Sequence, residues 1–328
     1  MRALAYIALM FPNLRHILVF APLLVLGCDR DLEYDLEAPN ATLVVNSIFA
    51  QDSTWQVEVS TTADPGEGGR ISSLKDAYVT ILEDGVRIGD MVLDSLDARP
   101  GFLGELEGGR TNTVRLYFQR TVNSVGRAGR NYELRVSHPR FPTVYSTAQI
   151  PRQARVRLNT AASQNAVLID GKQMTPVDFQ ILDDASENYY AIEVWASKAD
   201  GSVPFSRQIF YSQNKVLEEN VVVTSSFDSN DEYHAYTPDR GVFFSNAKFK
   251  GRGASFRIYV DNNFSMPMDR LSVRVLRLSR ELYEFTTSYQ KQLVNQSNPF
   301  AEPAQVFSNI QNGSGIFAGY SVAQMDVR

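Results

Sequence analysis

The stretch AYVTILEDGVRIGDMVL, residues 77–93, decides the fold class. Its first arm, Ala77–Glu83, is short, rich in β-branched and aromatic residues, and has a period of two rather than 3.6. Asp84-Gly85 follows. Both central positions of a two-residue hairpin turn need positive φ, which these two residue types tolerate. The pattern predicts a hairpin whose second arm is VRIGDMVL.

The same grammar extends in both directions. Thr42–Phe49, Trp55–Thr61, Thr113–Arg120, Tyr132–His138 and Thr143–Ile150 read as strands bounded by Gly, Pro, Asn and Asp. The glycine-rich stretches Gly66–Gly69 and Gly108-Gly109 read as loops, since no helix pattern and no Lys-Ser/Thr follows either as a phosphate cradle requires. Ile150-Pro151 reads as the end of a first sandwich. Beyond it, Val177–Leu182, Tyr189–Ser197, Phe205–Tyr211, Ser255–Asp261 and Leu271–Leu278 alternate again. One helix interrupts them, over about 279–295. Leu282, Phe285, Tyr289 and Leu293 form its apolar stripe, with Ser279 as N-cap and Glu281 near the positive end of the dipole. Asn298-Pro299 stops it, and Asn312-Gly313 turns the chain into a final glycine-rich segment. The expected architecture is mainly β, with two β-sandwich-like domains and one amphipathic helix near the C-terminus. Residues 42–152 form an immunoglobulin- or transthyretin-like sandwich, and residues 153–328 a β-rich domain carrying the helix.

The amino terminus reads differently. Ile17–Gly27 (ILVFAPLLVLG) is apolar and uncharged, preceded by Arg15 and His16. Its length suits a signal peptide's hydrophobic region and falls short of the ~20 residues that span a bilayer as a helix. Met10 begins a more typical signal sequence than Met1, so either methionine serves as the start. Val25-Leu26-Gly27-Cys28 has the form of a lipobox, with cleavage between Gly27 and Cys28 and a diacylglycerol on the Cys28 sulfur. The alternative is an ordinary secretory signal followed by a free cysteine, or a short buried helix. Against these, Cys28 is the chain's one cysteine. It has no partner for an internal disulfide, and an unpaired thiol is a liability in an oxidising compartment. Residues 28–41 then form an anchored acidic tether, with carboxylates at Asp29, Asp31, Glu33, Asp35 and Glu37.

Composition is that of a globular protein, 44% hydrophobic and 21% charged. Loss of Arg2 and Arg15 with the signal peptide leaves 30 of 32 basic residues against 37 acidic ones, moving net charge from −5 to −7. An acidic surface disfavours nucleic acid. Chemistry is sparse. Among three histidines, His16 leaves with the signal, His138 precedes Pro139 at a strand end, and His234 lies in a polar loop. No metal-ligand spacing and no GxSxG elbow appears, so no metal, cofactor or catalytic residue is expected. Asp183-Asp184 and Asp231-Glu232 read as solvated loops rather than a glycosidase pair. Asp228–Glu232, with Asp239 behind it, offers oxygen ligands for calcium but lacks the glycine and spaced glutamate of an EF-hand. Trp55 and Trp195 read as core aromatics, with sugar-stacking platforms as the alternative.

These features together resemble a Bacteroidota lipoprotein family catalogued as domain of unknown function 4249. The resemblance is carried by the lipobox with its acidic start, by LVVNSIF at residues 43–49, by Asp76–Val79 (DAYV), Asn131–Leu134 (NYEL) and Phe243–Ala247 (FFSNA), and most specifically by the end. That end is Asn298–Pro303 (NPFAEP), Ser308-Asn309-Ile310 and Gly313–Gly319 (GSGIFAG). Such proteins are commonly encoded beside TonB-dependent receptors. The resemblance therefore implies a non-catalytic accessory of an outer-membrane β-barrel transporter, with no assigned substrate. In lipoproteins of that phylum, acidic residues placed like Asp29, Asp31 and Glu33 act as a surface-export signal. In enteric bacteria an aspartate at the position of Asp29 retains the lipoprotein in the inner membrane, so the membrane face stays open. Two other functions stay open too: a free-standing surface module binding glycan or protein, and a hydrolase with an unrecognised site.

Overall fold

The computed structural model describes residues 41–62, 73–98, 114–159, 166–169, 171–198, 200, 206–220, 234–236, 242–261, 270–296 and 300–327. The chain is mainly β, with several sheets whose pairs are antiparallel at every junction but one. Within the described residues, alternation does the building. In β7 (Asn131–His138), Tyr132, Leu134, Val136 and His138 are buried while Asn131 and Arg135 face water.

The first half packs β1 (Leu43–Ala50), β2 (Thr54–Thr61), β6 (Val114–Val125) and β5 (Met91–Ala98) against a four-stranded sheet. That second sheet runs β4 (Val86–Arg87), β3 (Tyr78–Glu83), β7, β8 (Phe141–Gln149). The Asp84-Gly85 turn has the expected positive φ at both residues, 48° and 87°. Its second arm differs from expectation. β4 ends at Arg87, Gly89 takes φ 52°, and the chain crosses so that β5 pairs β6 in the opposite sheet. Between the sheets lies an aromatic nucleus. Trp55, fully buried, sits 4.1 Å from Phe49 and 4.5 Å from Tyr132 by ring centroids, and its backbone N–H donates to Thr121 Oγ1.

The second half packs β12 (Tyr189–Ser197) and β18 (Arg270–Leu278) against β11 (Lys172–Leu182) and β17 (Ala254–Asp261). Phe179, Phe256 and Phe244 form its centre, with centroids 5.4 and 5.5 Å apart. β13 (Ser206–Gln208) and β16 (Phe243–Ser245) pair β12; β9 (Arg155–Asn159) and β10 (Val167–Ile169) pair β11; β14 (Phe210–Ser212) links β17 to β15 (His234–Tyr236). A short helix, α1 (Lys215–Asn220), is capped by Asn214 and buries Leu217. The longer helix, α2 (Arg280–Gln296), starts where the sequence places it. Ser279 Oγ accepts from Leu282 N, and the Tyr283 ring stacks on Tyr189 at 4.5 Å. Its stripe docks for two turns only; Leu293 is exposed.

The final glycine-rich segment is β19 (Ser314–Asp326), a thirteen-residue strand that alternation alone does not reveal. It lies between β18 and β1, antiparallel to the one and parallel to the other, and so joins both halves into a nine-stranded sheet. One face of it serves two cores, Phe317 entering the first and Ala323 and Met325 the second. Its other face puts Ile316 and Ala318 under α2. The glycines make this crossing possible. Gly315 has φ +114°, and a Cβ there would strike the Val45 backbone; at Gly319 a Cβ would lie 2.7 Å from Gln149 O.

The strand yields a direct prediction. Gly315→Ala should lower unfolding free energy by on the order of 3 kcal/mol, and Phe317→Ala by about 3–5 kcal/mol. Urea titrations followed by circular dichroism measure both. A loss below about 1 kcal/mol for either would show that β19 does not carry this weight.

Candidate functional site

The outer face of β9, β11 and β17 holds a groove of about 870 Å³. Register builds it. Because Val177, Phe179 and Ile181 point into the core, Asp178 and Gln180 must point out. Asp178 stands opposite Asn159 on one side and Arg257 on the other, while Gln180 stands between Arg157 and Ser255. Gln213 and Asn214 form a wall, and Asn214 Nδ2 donates to Ser255 O at 3.0 Å.

The floor is electrostatically settled. Arg257 donates through Nε and Nη2 to the two Asp178 oxygens at 2.6 and 2.5 Å, a fork that lifts the guanidinium pKa further above its usual range. Asp178 is the single carboxylate lining the groove among the described residues. Hydrolysis of a glycosidic bond in the common way needs two, spaced for acid and nucleophile or base. The rest of the lining is polar, with amides, a second guanidinium on Arg157, and Tyr259, which hydrogen-bonds Arg257.

A second cavity of about 530 Å³ lies where the halves meet, beside Arg152, Asp184, Glu187, Arg277 and Arg280. Beneath it runs a polar network that corrects the expectation of a solvated Asp183-Asp184 loop. Asp183 is buried and accepts from Tyr190 OH at 2.6 Å, Asn188 Nδ2 at 3.0 Å, Asn246 Nδ2 at 2.7 Å and Gly251 N at 3.1 Å. Every acceptor site is used, so this carboxylate holds the β11–β12 loop to residues 246–251. Asp184 faces outward. Hydrogen bonds from Ser186 and Asn188, reinforced by Arg277, hold its carboxyl far below the ordinary carboxylate range. Asn246 was the missed residue, and its one signal was the FFSNA block.

The aromatic pair divides. Trp55 is core, as expected. Trp195 is not: it is partly exposed on the outer face of β12, its Nε1 donating to Glu193 at 2.8 Å. His138 is buried and contacts Asp76 through Nε2 at 3.1 Å, while Arg140 N donates to Nδ1. That donation makes Nδ1 the acceptor and leaves Nε2 as the ring nitrogen that faces the carboxylate. His234 opens β15 rather than lying in a loop. Gly27, Cys28, Asp29, Asp31, Glu33, the Gly66–Gly69 and Gly108-Gly109 loops, and the acidic residues 228–232 and 239 lie outside the described residues. Among those described, no group of three or more His, Cys, Asp or Glu side chains is placed to hold a metal ion.

The family-like block at the end proves structural. Asn309 exchanges hydrogen bonds with Phe317, Nδ2 to its O at 2.8 Å and Oδ1 from its N at 3.0 Å, and Asn312 Nδ2 donates to Thr143 O. These amides seat β19 against β8.

In comparisons with known proteins, residues 29–326 match the family described as "Domain of unknown function (DUF4249)". No curated protein matches. A solved structure titled "Biofilm associated protein - BSP domain" aligns over 86% of this chain at 10% identity with a TM-score of 0.17, and the chain spans 58% of that structure's length. Similarity at that level carries no argument about fold or role.

Acid sensitivity follows from Asp184. Its folded pKa is depressed, so its stabilisation is present above the unfolded value of about 3.9 and is lost as pH falls through the folded one. Asp184→Asn should therefore flatten the acid limb of a stability–pH profile measured by thermal melts from pH 7 to pH 2. An unchanged slope would remove Asp184 from the acid response.

Proposed function

The chain belongs to that family of unknown function, and on this premise we propose that it is a non-catalytic, lipid-anchored accessory of an outer-membrane β-barrel transporter. Cys28 carries the lipid, after cleavage from Gly27, and the acidic residues beginning at Asp29, Asp31 and Glu33 space the body from the membrane. The observation that carries this reading is the position of the chain's one cysteine. It stands directly after an uncharged apolar run and directly before a segment with carboxylates at alternate residues. Among the described residues no helix is long and apolar enough to cross a membrane. The lipid then supplies attachment, since the two acyl chains of a diacylglycerol meet the two-signal requirement for stable anchoring.

The groove supports the binding half of the proposal. Its one carboxylate is engaged by Arg257, and its remaining polar groups suit capture of a hydrogen-bonding ligand rather than bond cleavage. The same groove favours a second reading, in which the body binds a glycan or protein at the cell surface without a barrel. A TonB-dependent receptor is the partner in the first reading; the second needs none.

Two outcomes test the proposal. Cys28→Ser should accumulate as a slower-migrating precursor that takes up no radioactive palmitate; normal labelling would remove the anchor. Affinity capture of the intact lipoprotein from outer membranes in mild detergent should co-purify one β-barrel receptor in stoichiometric amount. Recovery of the lipoprotein alone from fully solubilised membranes would reject the accessory role in favour of the free-standing binder.

A further inference from the structure

The groove over β9, β11 and β17 carries a charge imbalance that points to its ligand. The six-stranded sheet that bears it holds six charged residues, Arg155, Arg157, Lys172, Asp178, Arg257 and Asp261. All stand on the outer face, because they share the phase of Asp178 and Arg257 and not that of the buried Val177, Phe179 and Ile258. Four cations against two anions leave two positive charges in excess, on a chain whose formal net charge is −5. Within the lining itself, two guanidiniums face one carboxylate, and the fork between Arg257 and Asp178 neutralises one pair. The remaining cation is Arg157. Its guanidinium has no hydrogen-bond or ion-pair partner among the described residues, and neither has the side-chain amide of Gln213 on the wall.

We propose that the groove binds an acidic oligosaccharide whose carboxylate docks on Arg157. This deepens, and rests on, the ligand-capture half of the proposed function. An unpaired guanidinium presents a planar fork of N–H donors matched to a carboxylate. Register sets Arg157, Gln180 and Ser255 in one row across three strands, a span of about 9.6 Å. Amides and hydroxyls both donate and accept hydrogen bonds, as sugar hydroxyls do. The aromatic residues of the lining are closed, Phe179 and Phe256 at 1% exposed and Tyr259 at 9%, so an uncharged sugar finds no ring there to stack on. A peptide strand finds no open carbonyls along β17 either. Asn214 Nδ2 donates to Ser255 O at 3.0 Å, and Ser212 Oγ donates to Arg257 O at 2.8 Å.

The test is isothermal titration of the full-length protein in non-ionic detergent with trigalacturonate, with its methyl ester, and with a peptide of alternating glutamate and serine. The acid should bind saturably, weaken with added salt, and bind more tightly than either alternative. Arg157→Gln should weaken it roughly tenfold or more, while Asp178→Asn, which removes the carboxylate from the Arg257 fork, should tighten it. Opposite shifts in two variants of one face cannot both come from misfolding. Parent-like affinity in Arg157→Gln, or weaker binding in Asp178→Asn, overturns the proposal, as does tighter binding of the peptide. An acid that fails to bind, or binds no better than its ester, overturns it too; binding of the ester in either case leaves ligand capture standing. Palmitate labelling and co-purification read the anchor and the barrel independently of all three titrations.

Discussion

Everything in this body depends on where its last strand goes. β19 pairs in parallel with β1 and antiparallel with β18, so the last described strand closes onto the first. A parallel pair needs a long crossover, and here nearly the whole described chain lies between its members. The closure couples two hydrophobic cores through one backbone. Phe317 fills the first, Ala323 and Met325 the second, and the intervening Gly319 passes where Phe49 and Ile150 leave no room for a side chain. Asn309 and Asn312 then fix the approach to the strand by replacing ladder hydrogen bonds with side-chain amides.

This arrangement explains what the sequence revealed and what it hid. Asn131–His138 was legible because one face is buried and the other wet, and Tyr189–Ser197 because its β-branched and aromatic run is bounded by turn residues although both faces of its first half are covered. The α2 boundary was legible because Ser279 caps it and Leu282 begins its stripe. β19 was not, because SGIFAGYSVAQMD trades bulk for close approach; over Ile316–Gly319 both of its faces are covered, so apolar residues there do not alternate with charged ones. The second arm of the Asp84-Gly85 hairpin misled for a different reason. Val86–Leu93 carries strand residues throughout, and only the positive φ of Gly89 lets the chain leave one sheet for the other.

The outward-facing and polar features were harder to read than the fold. Asp183 looked solvated because its partners Asn188, Tyr190, Asn246 and Gly251 converge only through tertiary structure. The groove was invisible because Asp178, Gln180, Arg257 and Ser255 are ordinary outward residues until register sets them side by side. Trp195 sits in an alternating strand, where an aromatic reads as core. Its position out of phase with Val194 and Ala196, both buried, was the available clue. The groove and Trp195 thus lie on the two outer faces of one sandwich, each presented by residues that the inner face excludes.

The claim that β19 makes one cooperative body of two cores is tested most directly by differential scanning calorimetry of the purified protein. The account predicts a single unfolding transition whose calorimetric and van't Hoff enthalpies agree. Two resolved transitions, one for each core, would contradict it.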